Sequence, residues 1–509
     1  MTQLDNPSLP TRVPDPGSRR MALVAAIVAF LGLAAVIYLN QFSGVSSSTA
    51  RAAKALEAEE AIDPTDPSTI ASKMVMKLAY LLDAKDAQSK GMLLAQTKDP
   101  SKPTARKTEA ERVREAILQA EILSSDGGKD AAETVFREIE KDFGAREESA
   151  AGNLNDKDKA RMEAARADIA TLRHQYAGNE VSAADRERLI GRHDWFAKVA
   201  LTFGKPNSDP ERAALLSGGA WLIVAILFVC IAAAIAGAGG LGCFVALVIM
   251  LYRGMIRPRF VPPAPGGSFG WEIVGFFVVA FLCFRFVGWL VIWLLATRDA
   301  AGEIQPPHWF PFFVIGGQWV VALAMFYPML RGVSFGKFRE LVGWTAPRGV
   351  VREVGAGIFG YMAGLPLLFV VVIITVGLNA WYTHVTGKDE PRTNPILEVV
   401  GKGSPALILL LLSLATLWAP LVEETVMRGA LYRALRASLP VFVSAIISAI
   451  FFGFMHGYPV LLLGPVITIG FIFALMREWR GSIIGPMVAH ALNNATVLGL
   501  VVVLLYAIR

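Results

Sequence analysis

The chain is short of charge and of cysteine. Only 18% of its 509 residues are Asp, Glu, Lys or Arg, 54% are hydrophobic, and the mean hydropathy is +0.47. A soluble fold throughout is excluded by that balance. The three cysteines, Cys230, Cys243 and Cys283, all lie in apolar segments. They read as small core residues, which rules out a disulfide framework and a cysteine metal cluster. The net charge of +6 is modest. Basic residues sit in loops beside apolar runs, as the positive-inside bias expects, so nucleic acid is not a required partner. HExxH, the usual helical zinc-protease spacing, is absent. No firm internal period appears, and no broken-helix repeat favours transport.

Long apolar runs are what the chain does have, and they predict an all-α, polytopic helical membrane protein with membrane lipid as its solvent. Residues 1–20, rich in Pro, Asp and Arg, read as a disordered tail. Met21 to Asn40 reads as a retained anchor: it is long and lacks a small-x-small cleavage site. Residues 41–212 are charged and carry no spanning run. They predict a soluble α-helical domain inserted after the anchor. Ala132, Val135, Phe136, Ile139 and Phe143 share a helical face there, Asp130 with Glu133 resembles a capping box, and Ser182 with Asp185 opens another helix. His174 and His193 read as ordinary surface or partly buried histidines.

Residues 213–509 form the membrane domain, with apolar runs near 214–252, 271–296, 310–330, 354–380, 404–422, 440–455, 459–476 and 482–508. The 214–252 run is too long for one ordinary span, and its glycines (Gly237, Gly239, Gly240, Gly242) leave a hairpin open. A hairpin places 41–212 in the cytoplasm; a single crossing places it outside. Arg19-Arg20 favours a cytoplasmic N-terminus and an extracytoplasmic domain in a multi-pass cell-membrane protein. Arg285 stands mid-span, where pairing with an acidic group or carbonyls is the ordinary role.

Three patterns in the last apolar runs carry the chemistry. In Glu423-Glu424-Thr-Val-Met-Arg428, Glu424 and Arg428 are i and i+4 and can pair. Glu423 points about 100° away and is free for another partner. Phe452 precedes His456 by one turn. His490 and Asn494 are again i and i+4 and can donate jointly to one oxygen, as an oxyanion hole requires. Singly, these patterns fit a solvated charge cluster, an interfacial histidine and a polar helix clasp. Together, on separate apolar helices, they predict one polar pocket inside the membrane.

On these motifs the chain resembles the CPBP family, which includes type II CAAX prenyl endopeptidases and bacteriocin-processing and self-immunity proteins. The family's EExxxR, FxxxH and HxxxN/B patterns occur here in order. Pro420, Gly429 and Gly481-Ser-Ile-Ile-Gly-Pro486 agree in the flanks; Met427 departs, where an aromatic residue is common. The resemblance covers about 335–509 and says nothing of 41–212. It implies an intramembrane endopeptidase acting on a peptide or membrane protein, with CAAX-type prenylated substrates the best-known targets. It further implies Glu423 as the base that activates water, His456 as its helper, His490 and Asn494 as oxyanion donors, and Glu424, Arg428 and Phe452 in support. No cofactor is required in this reading; the alternative is zinc on Glu423, His456 and His490. The competing function is a non-catalytic scaffold or self-immunity protein. Oligomeric state is not legible.

Overall fold

The computed structural model describes residues 12, 14–41, 67–81, 87–95, 108–123, 127–149, 156–298, 304–386 and 404–508. The chain is an all-α polytopic membrane protein. Among the described residues, seven helices are long and apolar enough to cross a bilayer: Arg19–Asn40, Pro210–Tyr252, Phe269–Leu295, Phe310–Leu330, Val350–Thr386, Pro405–Arg436 and Ile484–Val503. The only strand pairing described is a two-residue antiparallel ribbon, Thr297–Arg298 with Ile304–Gln305. The described residues divide into a membrane unit, drawn from 1–47, 231–392 and 402–500, and a second unit drawn chiefly from 48–230.

The long glycine-containing run is one helix, Gly219–Tyr252, of 34 residues. Gly239 and Gly240 serve packing instead of a turn. A Cβ on Gly240 would stand 3.1 Å from the Met362 carbonyl oxygen, and one on Gly239 would stand 3.0 Å from Met362 Cε. Small residues thus let this helix lie close against Val350–Thr386. Two of the expected spans are short helices. Val441–Met455 has 15 residues and Gly464–Arg480 has 17. At about 1.5 Å per residue they reach roughly 22–26 Å, less than the ~30 Å hydrocarbon core. They pack as a hairpin, where a Cβ on Gly470 would meet Ala449 Cα at 3.2 Å. A hairpin leaves the parity of the later spans unchanged.

The basic loops meet at one end of the membrane unit. Backbone N–H groups of Arg259 and Phe260 donate to the Glu478 carbonyl, and that of Ile483 to the Gly343 carbonyl. Arg480 makes a two-pronged, buried pair with Glu353 at 2.7 and 2.9 Å. Within the segment expected to be a loose tail, Asp15 pairs with Arg433, Arg12 donates to the Ala437 carbonyl, and Ser268 N–H donates to Pro16. Residues 14–20 are therefore docked, and Arg19 already opens a helix; residues 1–11 and 13 lie outside the described residues. The helix read as a separate anchor packs into the core of this unit through Ala29, Leu33 and Val36, all fully buried.

In the second unit, Ala132, Phe136, Ile139 and Phe143 are buried, as their spacing predicts. The helix carrying them begins at Gly128, so Asp130 lies inside its first turn instead of capping it. Gly128 approaches Ala120 so closely that a Cβ would stand 2.3 Å from its carbonyl oxygen. Ser182 does cap the Ala183–Ala200 helix. His174 is exposed. His193, by contrast, is fully buried and bonded to the equally buried Asp168 at 3.0 Å.

Candidate active site

The helix Pro405–Arg436 starts from Ser404, whose hydroxyl accepts the Leu407 N–H, with Pro405 in the first turn. It is not uniformly α-helical. Widened π-type turns at Leu414–Trp418 and Thr425–Tyr432 flank the Ala419–Glu424 segment. Such turns recur at functional sites. Pro420 has no N–H to give and crowds the preceding turn. The widened turn before it leaves the Ala415 carbonyl to accept Asn494 Nδ2 at 2.8 Å.

Glu424 and Arg428 pair as their spacing predicts. The Nη1–Oε1 distance is 2.9 Å and both side chains are fully buried. Arg428 Nη2 donates to the Gly470 carbonyl at 2.9 Å. Its guanidinium lies 4.3 Å from the Phe452 ring centre and 5.3 Å from that of Phe473. A buried cation is costly unless paired and bonded, and this one has a carboxylate, a carbonyl and two aromatic faces. The same Glu424 Oε1 also takes a hydrogen bond from His490 Nδ1 at 2.8 Å, a link the motif spacing does not reveal.

Glu423, turned away from Arg428, meets both imidazoles. Its Oε2 stands 3.9 Å from His456 Nε2 and 4.0 Å from His490 Nε2. That oxygen is buried and makes no hydrogen bond. The Glu423 side chain is 26% exposed and that of His456 28%, so the cluster is reachable, whereas His490 is 4% exposed. The ring tautomers follow from the partners. His456 Nδ1 lies 2.7 Å from the Phe452 carbonyl oxygen. A carbonyl meets only a donor, so Nδ1 of His456 carries the hydrogen. His490 Nδ1 likewise gives its hydrogen to the Glu424 carboxylate. In the neutral form, both Nε2 lone pairs then face Glu423.

Phe452 does more than line a face. Its carbonyl fixes His456, its ring stands edge-on to His456 at 4.7 Å and to His490 at 5.8 Å, and it covers Arg428. Phe473, outside the three motifs, covers His490 from another side at 5.6 Å. Asn494 stands otherwise than expected. One of its amide hydrogens is given to the Ala415 carbonyl, which leaves a single amide hydrogen for another acceptor. Phe473, Gly470 and Ala415 carry no sequence signal; only packing brings them in.

The zinc alternative can be weighed on geometry. Glu423 Oε2 and the two Nε2 atoms are the right donor types. Tetrahedral zinc with bonds of about 2.0–2.2 Å brings ligand atoms to roughly 3.3–3.6 Å of one another. The separations of 3.9 and 4.0 Å lie just outside that range. A water accepted near a right angle by two hydrogen bonds of about 2.8 Å spans roughly 4 Å, which fits. Among the described residues no wider His, Cys, Asp and Glu cluster suits a metal.

Residues 405–496 match the family model described as type II CAAX prenyl endopeptidase Rce1-like. The chain is 26% identical over 161 residues to the "Putative membrane peptidase YdiL" of Bacillus subtilis (strain 168); the match covers 30% of this chain and 62% of that protein. No solved structure matches. The matched segment holds Glu423, Glu424, Arg428, Phe452, His456, His490 and Asn494. The 405–496 segment of the membrane unit is thus similar to the Rce1-like type II CAAX prenyl endopeptidases.

Proposed function

We propose that the protein is an intramembrane endopeptidase that hydrolyses a peptide bond of a membrane-associated substrate with water activated by Glu423. The observation that carries this reading is the unbonded Glu423 Oε2 facing two imidazole Nε2 atoms at 3.9 and 4.0 Å. A water held there gives one hydrogen to Glu423 and one to His456 Nε2. As its oxygen attacks the carbonyl carbon, Glu423 takes a proton and later delivers it to the leaving amide nitrogen. The C–N bond breaks, leaving a carboxylic acid and an amine; the acid's remaining proton passes through His456 Nε2, which gives the carboxylate. No covalent acyl-enzyme is formed. His490, when protonated, donates from Nε2 to the developing oxyanion, and Glu424 balances its charge. Arg428 in turn holds Glu424. The remaining amide hydrogen of Asn494 serves as a second donor.

CAAX-type prenylated proteins are the substrates the family match favours. A single helix through 219–252 supports an extracytoplasmic 41–212 domain once the N-terminus is cytoplasmic. The test is a comparison of protein termini in membranes bearing the wild type or Glu423→Ala. A reproducible new terminus present only with the wild type supports the reading and names a substrate; identical termini overturn it.

A further inference from the structure

Arg285 is the charge that the site leaves unexplained. It stands inside the Phe269–Leu295 span, where a charged side chain needs a partner. Its Nη1 donates to Asn40 Oδ1 at 2.8 Å. Asn40 closes the N-terminal helix, and its Nδ2 donates to the Met455 carbonyl at 3.1 Å. Met455 is the residue before His456, at the end of Val441–Met455. None of Asn40, Arg285 and their two helices lies in the 405–496 segment.

We infer that Asn40, oriented by Arg285, is a positioning residue for His456. The inference rests on the protease reading given above. The chemistry of the chain Arg285–Asn40–Met455 is directional. A guanidinium only donates, so the Asn40 atom facing it is the oxygen; the amide nitrogen is then left to face a carbonyl. Neither end of the amide can be exchanged. The last carbonyls of a helix have no partner within it. Asn40 supplies one for Met455. His456 is the C-cap, and Gly457 turns the chain with φ +68°. The turn also rests on Asn40: a Cβ on Gly457 would stand 3.4 Å from Asn40 Cγ. His456 is otherwise held by its Nδ1 bond to Phe452 and the Phe452 ring. The Asn40 contact sets the backbone from which that imidazole reaches Glu423.

Asn40→Asp is the informative variant. It keeps an acceptor for Arg285, and so the tie between the N-terminal helix and Phe269–Leu295. It loses the donor and sets a carboxylate oxygen against the Met455 carbonyl. Arg285→Lys keeps a donor to Asn40 and serves as the conservative control.

The first readout needs no substrate. Amide hydrogen exchange is measured over Phe454–Val460 in detergent-purified full-length protein. Asn40→Asp is expected to speed exchange there and leave the 19–38 amides unchanged; Arg285→Lys is expected to follow the wild type. The second readout is kinetic, on the substrate named by the terminus comparison. Asn40→Asp is expected to lower kcat about tenfold, which is about 1.4 kcal/mol of barrier, with KM unchanged. Arg285→Lys should retain most of kcat. Wild-type exchange over Phe454–Val460 in Asn40→Asp overturns the inference. So does an unchanged kcat in a preparation where Glu423→Ala is inactive, because a purely structural tie would alter yield and not turnover. Activity in Glu423→Ala would instead overturn the protease reading, and the exchange data would still decide the role of Asn40.

Discussion

His490 gives its Nδ1 hydrogen to Glu424 at 2.8 Å, on the very oxygen that Arg428 holds at 2.9 Å. One buried carboxylate thus joins the first motif to the third. Its adjacent residue, Glu423, is left to face the opposite nitrogen of the same imidazole. On the proposed reading, the doubled glutamate divides labour between Glu424, which orients His490, and Glu423, which reacts.

Removing Arg428 tests the buried half of that arrangement. Arg428→Met leaves Glu424 as an uncompensated buried anion. Its cost is expected to be about 3–5 kcal/mol, the usual penalty for breaking one side of a buried pair. The double variant Glu424→Gln/Arg428→Met should lose much less than the two single losses summed. Denaturant unfolding in detergent measures both. A loss of under ~1 kcal/mol for Arg428→Met would contradict this account.

The soluble unit offers a pH test. Glu121 is paired with Arg212 at 2.7 Å, yet burial raises its pKa from 4.5 to about 7. Between those values the folded chain holds a proton that the unfolded chain has released. This contribution is therefore complete below 4.5 and is lost as pH rises through about 7. His193 acts in the opposite sense, because burial lowers its pKa from 6.5, and its contribution is lost as pH falls. Glu121→Gln removes only the first slope. Exchange of Glu109–Leu123 amides, corrected for intrinsic rates, should show the stability difference between wild type and Glu121→Gln shifting across that window. A pH-independent difference would contradict it.

Much of the site was legible because charge in an apolar helix is rare and helical spacing is rigid. Glu424–Arg428 follows from i, i+4 alone, and the surplus of Glu423 follows from the same geometry. Four things are not legible in the sequence. Helical spacing cannot foresee the widened turn before Pro420, which frees the Ala415 carbonyl and draws Asn494 to it. Nor does spacing show that His490 reaches Glu424, since that contact spans separate helices. The glycine cluster at 237–242 leaves a hairpin open through its local turn preference; the close approach of Gly239 and Gly240 to Met362 depends on a helix more than a hundred residues away. His193 was read as an ordinary histidine because Asp168, its partner, carries no local mark.

Metal content separates the two forms of hydrolysis. On the proposed water-activation reading, purified active protein is expected to carry no stoichiometric zinc and to keep its activity after chelation, because a hydrogen-bonded water suits the 3.9 and 4.0 Å separations of Glu423 from the two imidazoles. Elemental analysis alongside activity decides this. One zinc per chain, lost together with activity and restored with it, would contradict the metal-free account.

Topology is tested by labelling. A cysteine placed at exposed Glu148 should react with a membrane-impermeant maleimide in intact cells, as an extracytoplasmic domain requires. The background is a variant lacking Cys230, Cys243 and Cys283. Reaction only after lysis would place the domain in the cytoplasm.

The central claim is that Glu423 activates the attacking water. The most direct measurement is cleavage of the identified substrate by purified wild-type and Glu423→Ala protein, matched for yield and thermal unfolding. Glu423 makes no hydrogen bond through its buried oxygen, so the variant is expected to fold normally and to show no cleavage. Cleavage at the wild-type rate by Glu423→Ala would contradict the account.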